Sequence, residues 1–333
     1  MQSRHPSQLA AELATAGLAV TPLPPGSVAS AAATFDYIAD EVLKASNQRL
    51  EFLPPESPAA RYSRPEEQCV SRGPRYLPWP EPHDSNLGFH VGVQSADESG
   101  DKGYDYLTFV NPTNRGTFER MVYPFRGVVE QVCRELYGPT QRVATISSTF
   151  VVGTEKLKTV AHVDFWSKNI VTLLLPLHQY RPADAGLRYW RFDENPHLYP
   201  GGAAASVDAK VLQEESYSRV YNYNLNEGVL FSGTLWHQTV PFHQPPGGWG
   251  RTRCRVLLGV MAVAVDALAN EHGHPDALIS LAAAANGYYV HPETGEWLTP
   301  LPSIRSLSWQ WLAARIASPS KIRDDAAEFV AQW

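Results

Sequence analysis

The sequence predicts a mainly β fold with flanking α-helices, its core an antiparallel sandwich, jelly roll or barrel. Three observations carry this expectation. Between about residues 142 and 265, short runs rich in β-branched and aromatic residues alternate with turn signals. No helical pattern separates those runs, which argues against βαβ units. On both sides of this stretch, apolar residues recur at helical spacing instead. The reading is a single domain over 1–333. Its β core spans about 142–265, between a helical and loop-rich N-terminal part at 1–141 and a helical C-terminal part at 266–333.

In order, Ser7 to Thr15 predicts a short helix ended near Gly17, and Leu18 to Leu23 a strand stopped by Pro24-Pro25-Gly26. Ser27 to Ala45 has helical spacing, with Ala31, Phe35, Ile38, Val42 and Leu43 near one face. Residues 50 to 103 are rich in Pro, Gly, Ser and charge, too long for an ordinary connection, and predict ordered loops with short strands. Thr117 to Tyr137 predicts a helix, apolar at Met121, Phe125, Val128, Val129, Val132 and Leu136. The strand runs follow: Val143 to Val152, Asn169 to Leu177, Gly186 to Phe192, Arg219 to Tyr223, Gly228 to Ser232, and Arg253 to Val265. Helical patterns return at Asp276 to Ala285, Trp309 to Ile316 and Asp324 to Trp333.

Of 333 residues, 44% are hydrophobic and 19% charged, which suits a globular chain with a sizeable core. The formal net charge is -6 and no Lys/Arg-rich run occurs, so nucleic acid and anionic membrane surfaces are not expected partners. The longest apolar stretches fall short of the roughly 20 residues of a membrane span. Met1 to Leu13 lacks the basic-then-apolar order of a secretory signal, so the expected location is cytoplasmic. Cys69, Cys133 and Cys254 are sparse and far apart, giving neither a disulfide framework nor a zinc pattern. Any metal must therefore use His and carboxylate.

His162-Val163-Asp164 supplies both. On an extended segment, residues i and i+2 share a face, so an imidazole and a carboxylate can reach one ion. A third ligand from another strand would complete one triangular face and leave about three positions open, the arrangement of non-haem iron(II) oxygenases. His-x-Asp alone is weak evidence, and the chain carries a second, His274-Pro275-Asp276. That pair runs straight into Ala277 to Leu281, where Pro and Asp suit the first turn of a helix. His162-Val163-Asp164 lies between strand runs and is followed by Phe165 and Trp166. The expected third ligand is His237, which ends a strand–turn–strand unit running from Val229 through Ser232-Gly233-Thr234 to Trp236. His178 sits at the far end of its strand, His197 in a turn and His243 in a Pro-rich loop. Trp166, Trp190 and Trp236 read as core residues, and Arg188 and Arg191 as solvated ones.

The stretch from Val143 to Val265 resembles the iron(II)- and 2-oxoglutarate-dependent oxygenases of the double-stranded β-helix, or jelly-roll, fold. The matching pieces come in order: His162-Val163-Asp164 with its aromatic follower, the strand to Leu177, Ala185-Gly186-Leu187-Arg188-Tyr189, then Glu227-Gly228-Val229-Leu230-Phe231 through Trp236-His237, and an Arg-bearing last strand. They cover about 120 residues, a little over a third of the chain. Leu9 to Leu23 is faintly similar to the phytanoyl-hydroxylase-like branch. The resemblance implies Fe(II) on His162, Asp164 and His237, with 2-oxoglutarate and O2 as cosubstrates. It also implies a basic residue for the far carboxylate of 2-oxoglutarate, usually about a dozen residues past the distal His. Arg251, Arg253 and Arg255 lie 14, 16 and 18 residues past His237. Their spacing of two puts all three on one strand face, so parity does not choose among them. The Gly247-Gly248 insertion accommodates the longer interval, and Arg251 is favoured for the cosubstrate, with Arg255 as a further contact.

Asp164 is retained where halogenating relatives carry a small residue. The resemblance therefore implies hydroxylation, desaturation or ring closure of a small-molecule substrate, with release of succinate and CO2. Two other readings stand beside it: a cupin-like metal enzyme that does not use 2-oxoglutarate, and a non-catalytic jelly-roll binding protein.

Overall fold

The computed structural model describes residues 4–46, 75–77, 90–94, 106–110, 115–153, 161–164, 167–180, 186–205, 207, 209–240, 255–272, 289–290 and 297–298. The expected helices beyond residue 275, the His274-Pro275-Asp276 pair, Arg251, Arg253, His243, Trp166, Cys69 and Cys254 lie outside the described residues.

The chain opens with α1 (Pro6–Ala16), whose N-terminus is capped by the His5 side chain and whose C-terminus is closed by Gly17. Gly17 has φ 77°, and its N–H donates to the Leu13 carbonyl; the left-handed conformation turns the chain directly into β1 (Leu18–Pro22). A side chain here would also strike Leu235 and Phe192. α2 (Ser27–Ser46) follows, then the short strands β2 (Arg75–Leu77), β3 (His90–Gln94) and β4 (Tyr106–Val110), and the long helix α3 (Arg115–Tyr137). The second half carries β5 (Val143–Gly153), β6 (Ile170–Pro176), β7 (Gly186–Tyr189), α4 (Ala209–Glu214), β8 (Arg219–Asn222), β9 (Glu227–Ser232), β10 (His237–Thr239) and β11 (Arg255–Ala264). α5 (Val265–His272) and the paired β12 (Tyr289–Val290) and β13 (Trp297–Leu298) complete the described elements.

All strand pairs among the described residues are antiparallel, and these strands form an eight-stranded sheet in the order β1-β9-β6-β11-β5-β4-β3-β2 facing a three-stranded sheet in the order β10-β7-β8. This is the expected jelly-roll architecture. The strand expected from Leu18 and the short strands expected within 50–103 are present as β1, β2 and β3, and with β4 they extend the larger sheet at both edges. β1 pairs with β9 through partners as distant as Leu18 and Phe231.

The larger sheet separates two apolar layers, and strand alternation decides which residue enters which. Val171, Leu173, Leu175, Leu230, Val256, Leu258, Val260 and Ala262 pack outward against α1, α2 and α3, meeting Leu9, Leu13, Phe35, Met121, Phe125 and Val129. The intervening residues Leu174, Val229, Phe231 and Leu257 point inward, between the sheets, against Leu187, Trp190, Tyr223, Leu235 and Trp236. Gly228 allows close packing in the outward layer: a Cβ there would lie 2.7 Å from Leu173 Cδ1. Cys133 is a buried free thiol of the outer layer, its pKa pushed up to about 12 by burial. No helix among the described residues is long and apolar enough to cross a membrane.

Candidate metal centre

The inner layer holds the predicted ligands. His162 and His237 face each other in an isolated antiparallel bridge, each backbone N–H donating to the other's carbonyl at 2.9 Å. The bridge fixes both Cα positions, and the ring centroids stand 4.4 Å apart. Asp164, two residues on from His162, turns the same way. Its Oδ1 lies 3.5 Å from His237 Nε2 and 3.7 Å from His162 Nε2. One ligand atom from each residue falls within 4.8 Å of the others. Three donors at these separations can converge on one ion without backbone movement.

His237 begins β10 rather than ending a strand unit, because a turn closed by the Leu235 N–H on the Ser232 carbonyl precedes it. Its environment prepares it as a ligand. Nδ1 meets the Leu235 carbonyl at 2.9 Å, which sets the tautomer with the proton on Nδ1 and the lone pair on Nε2, facing Asp164. Burial, reinforced by the neighbouring His162, pushes its pKa down to about 4, against the pull of Asp164 and the Leu235 carbonyl. The ring is therefore neutral at neutral pH. Phe231 packs 4.8 Å away, centroid to centroid.

Hydrogen bonds from the surrounding layers hold this geometry. The Tyr199 hydroxyl donates to the Trp190 carbonyl at 2.5 Å and accepts from the Trp236 N–H at 3.1 Å, while Trp190 N–H donates to the Trp236 carbonyl at 3.1 Å. These bonds tie β7 to the residue before His237. Beyond Asp164, the buried Ser167 donates to Glu271 on α5 at 2.6 Å, and Asn169 donates to the same carboxylate. The second oxygen of Asp164 accepts from Thr172 Oγ1 at 3.2 Å. Exposure is graded across the triad: the side chain of His237 is 7% exposed, Asp164 15% and His162 54%. Among the described residues, His162 is thus the side from which the centre is reached.

Of the three arginines, Arg255 is described, and it is 1% exposed. It has the same parity on β11 as Leu257, so it points inward. Its guanidinium carbon sits 5.9 Å from the centroid of the Tyr223 ring. The Tyr221 and Tyr223 hydroxyls are both buried, and among the described residues the Tyr223 hydroxyl has no hydrogen-bond partner. The Tyr223 pKa is pushed up to about 12 by burial, with Arg255 pulling the other way, and burial raises Tyr221 as well. Both remain protonated donors at neutral pH. The other expected candidates fall elsewhere. His197 bonds Ser216 on the surface, Arg191 pairs with Asp193, and Trp190 and Trp236 are core residues as expected. Arg188 is half-buried, with its Nε out of solvent contact.

Sequence reasoning did not single out Thr172, Tyr221 or Tyr223. A signal existed for each: Thr172 interrupts the apolar run Ile170 to Leu177, and Tyr221-x-Tyr223 places two phenols on one strand face.

No family model matches the chain, and no curated protein does. Solved structures align with it at a distance. The non-heme alpha-ketoglutarate-dependent carbocyclase SnoK from nogalamycin biosynthesis aligns with TM-score 0.46 and 12% identity over 78% of this chain and 83% of that one. AviO1 from Streptomyces viridochromogenes Tue57 gives 0.48 and 10% over 79% and 96%. A Pseudomonas putida prolyl-4-hydroxylase gives 0.37 and 12% over 78% and 98%.

Proposed function

We propose that the protein is an iron(II)- and 2-oxoglutarate-dependent oxidoreductase that oxidises a C–H bond of a small molecule, with release of succinate and CO2. The observation that carries the reading is the inner-layer triad. Two imidazoles and one carboxylate converge, and the buried imidazole is neutral with its Nε2 lone pair turned toward the other donors. Two nitrogens and one hard oxygen suit a divalent iron and leave about three coordination positions for other ligands. His162, Asp164 and His237 would hold the metal.

The neighbouring groups support 2-oxoglutarate as cosubstrate. A guanidinium is suited to a dicarboxylate, because its planar fork gives bidentate, permanently charged recognition of a carboxylate. Arg255 lies on the inner face of β11, and the buried Tyr221 and Tyr223 hydroxyls offer two further donors to a carboxylate. On this support Arg255 is a carboxylate-binding candidate beside Arg251 and Arg253 of the sequence reading. Bound iron, 2-oxoglutarate and O2 supply the oxidising power; the chain's part is to hold the reactants in register and exclude water.

The decisive test is anaerobic addition of iron(II) and 2-oxoglutarate. The expected result is the weak visible charge-transfer band of the chelate, followed by succinate formation when O2 is admitted. Metal binding without that band would favour a metal enzyme that does not use 2-oxoglutarate.

A further inference from the structure

Asp164 has two oxygens, and the structure gives them different partners. Oδ1 faces the two histidine Nε2 atoms at 3.5 and 3.7 Å, while Oδ2 accepts the Thr172 hydroxyl at 3.2 Å. Thr172 is 2% exposed and sits inside β6, paired on one side with Phe231 of β9 and on the other with Met261 of β11. Two ladders fix its backbone, and its β-branched side chain has few rotamers, so the hydroxyl is delivered to one place. Every other residue of β6 is apolar, and a valine would match Thr172 in shape. A buried hydroxyl is retained at low cost only where it has a partner, and its partner is the carboxylate.

We propose that Thr172 is a positioning residue that holds Asp164 as a one-oxygen metal ligand. With Oδ2 engaged, the carboxylate takes a single coordination position, and the remaining positions stay open for cosubstrate and O2. Without the hydroxyl, Oδ2 has no other hydrogen-bond donor described near it, and the carboxylate turns both oxygens toward the ion. This inference rests on the triad being the metal site and adds the device that sets its coordination number.

The test uses cobalt(II) as a spectroscopic probe on the full chain, comparing wild type, Thr172→Val, Thr172→Ser and His237→Ala, with folding followed by circular dichroism and thermal melting. Loss of an outer-shell partner typically weakens a metal site by about 10- to 100-fold. Thr172→Val is expected to bind cobalt(II) more weakly within that range and to show altered d–d band positions and intensities, and Thr172→Ser to restore both. Wild-type affinity and spectrum in Thr172→Val overturn the proposal. So does a loss in Thr172→Ser equal to that in Thr172→Val, since that assigns the effect to packing. Equal cobalt(II) binding by wild type and His237→Ala would instead remove the triad as the metal site. The Thr172 role alone fails if His237→Ala loses the metal while Thr172→Val does not.

Discussion

The two faces of the eight-stranded sheet are made from alternate residues of the same strands, yet they carry different chemistry. The outward face is mainly apolar, with Val171, Leu173, Leu175, Leu230, Leu258 and Val260 against three helices and the small hydroxyl of Ser148 against Met121. The inward face mixes apolar residues with Thr172 and Arg255, and looks across to His237, Tyr221 and Tyr223 on the smaller sheet side. A step of one residue along β6 or β11 moves from one regime to the other. Stability and chemistry are therefore separable by parity. Outer-face variants should lower stability and leave ligand binding intact, and inner-face variants should do the reverse.

The largest expected effect is on the inner face. His237→Ala should abolish iron(II) binding and turnover, with His162→Ala and Asp164→Ala close behind, while secondary structure is kept. Metal titration followed by circular dichroism checks this, and wild-type metal affinity in His237→Ala would remove the third ligand. The matching outer-face change is Leu258→Ala. Truncating a fully buried leucine costs about 2–5 kcal/mol, and Leu258 is 0% exposed. Urea denaturation should show that loss, while the folded fraction binds metal as wild type does. A large change in metal affinity there would break the division between the faces.

Next comes the proposed carboxylate pocket. Removing one partner of a buried charge pair costs at least about 2 kcal/mol, roughly 30-fold in affinity. Arg255→Gln should raise the 2-oxoglutarate requirement by at least that factor with metal affinity unchanged. Tyr223→Phe removes one hydrogen bond to a charged group, about 1.5 kcal/mol, and should raise the requirement roughly tenfold. Steady-state kinetics against 2-oxoglutarate measures both. No change in Arg255→Gln, with a change in an Arg251 or Arg253 variant, would move the role along the strand.

How far the sequence reveals these faces depends on the range of the interactions. His162-Val163-Asp164 is legible because strand parity is local, and His237 because turn residues precede it. The helices α1 and α3 are legible from their apolar stripes, and both match their expected bounds to within two residues. The joining of β1 to β9 is not legible, because Leu18 meets Phe231 only through the folded chain. The choice among Arg251, Arg253 and Arg255 is not legible for a different reason: parity is the same for all three. Thr172 went unnoticed because a threonine in a strand is ordinary in itself. Its meaning comes from Asp164, eight residues away and on a different segment.

The smallest expected effect lies at the rim, where neither face is involved. Asp266, in the first turn of α5, accepts from the Arg142 side chain, from the Arg142 N–H at 3.1 Å and from Gln141 Nε2 at 3.1 Å, tying α5 to the start of β5. The hydrogen bonds from Arg142 lower its pKa below 3.8, against a smaller desolvation effect. A lowered folded-state value means stabilisation that is present above the unfolded pKa and is lost as pH falls through the folded one. The side chain is 37% exposed, so solvent screening reduces the gain to about 0.5 kcal/mol at neutral pH. Asp266→Asn should therefore melt slightly below wild type at pH 7, and the two curves should converge in acid, below 3.8. A difference that persists unchanged in acid would assign the effect to the shape of the side chain. In either case metal binding should not change, since this tie fastens the frame and leaves the inner face untouched.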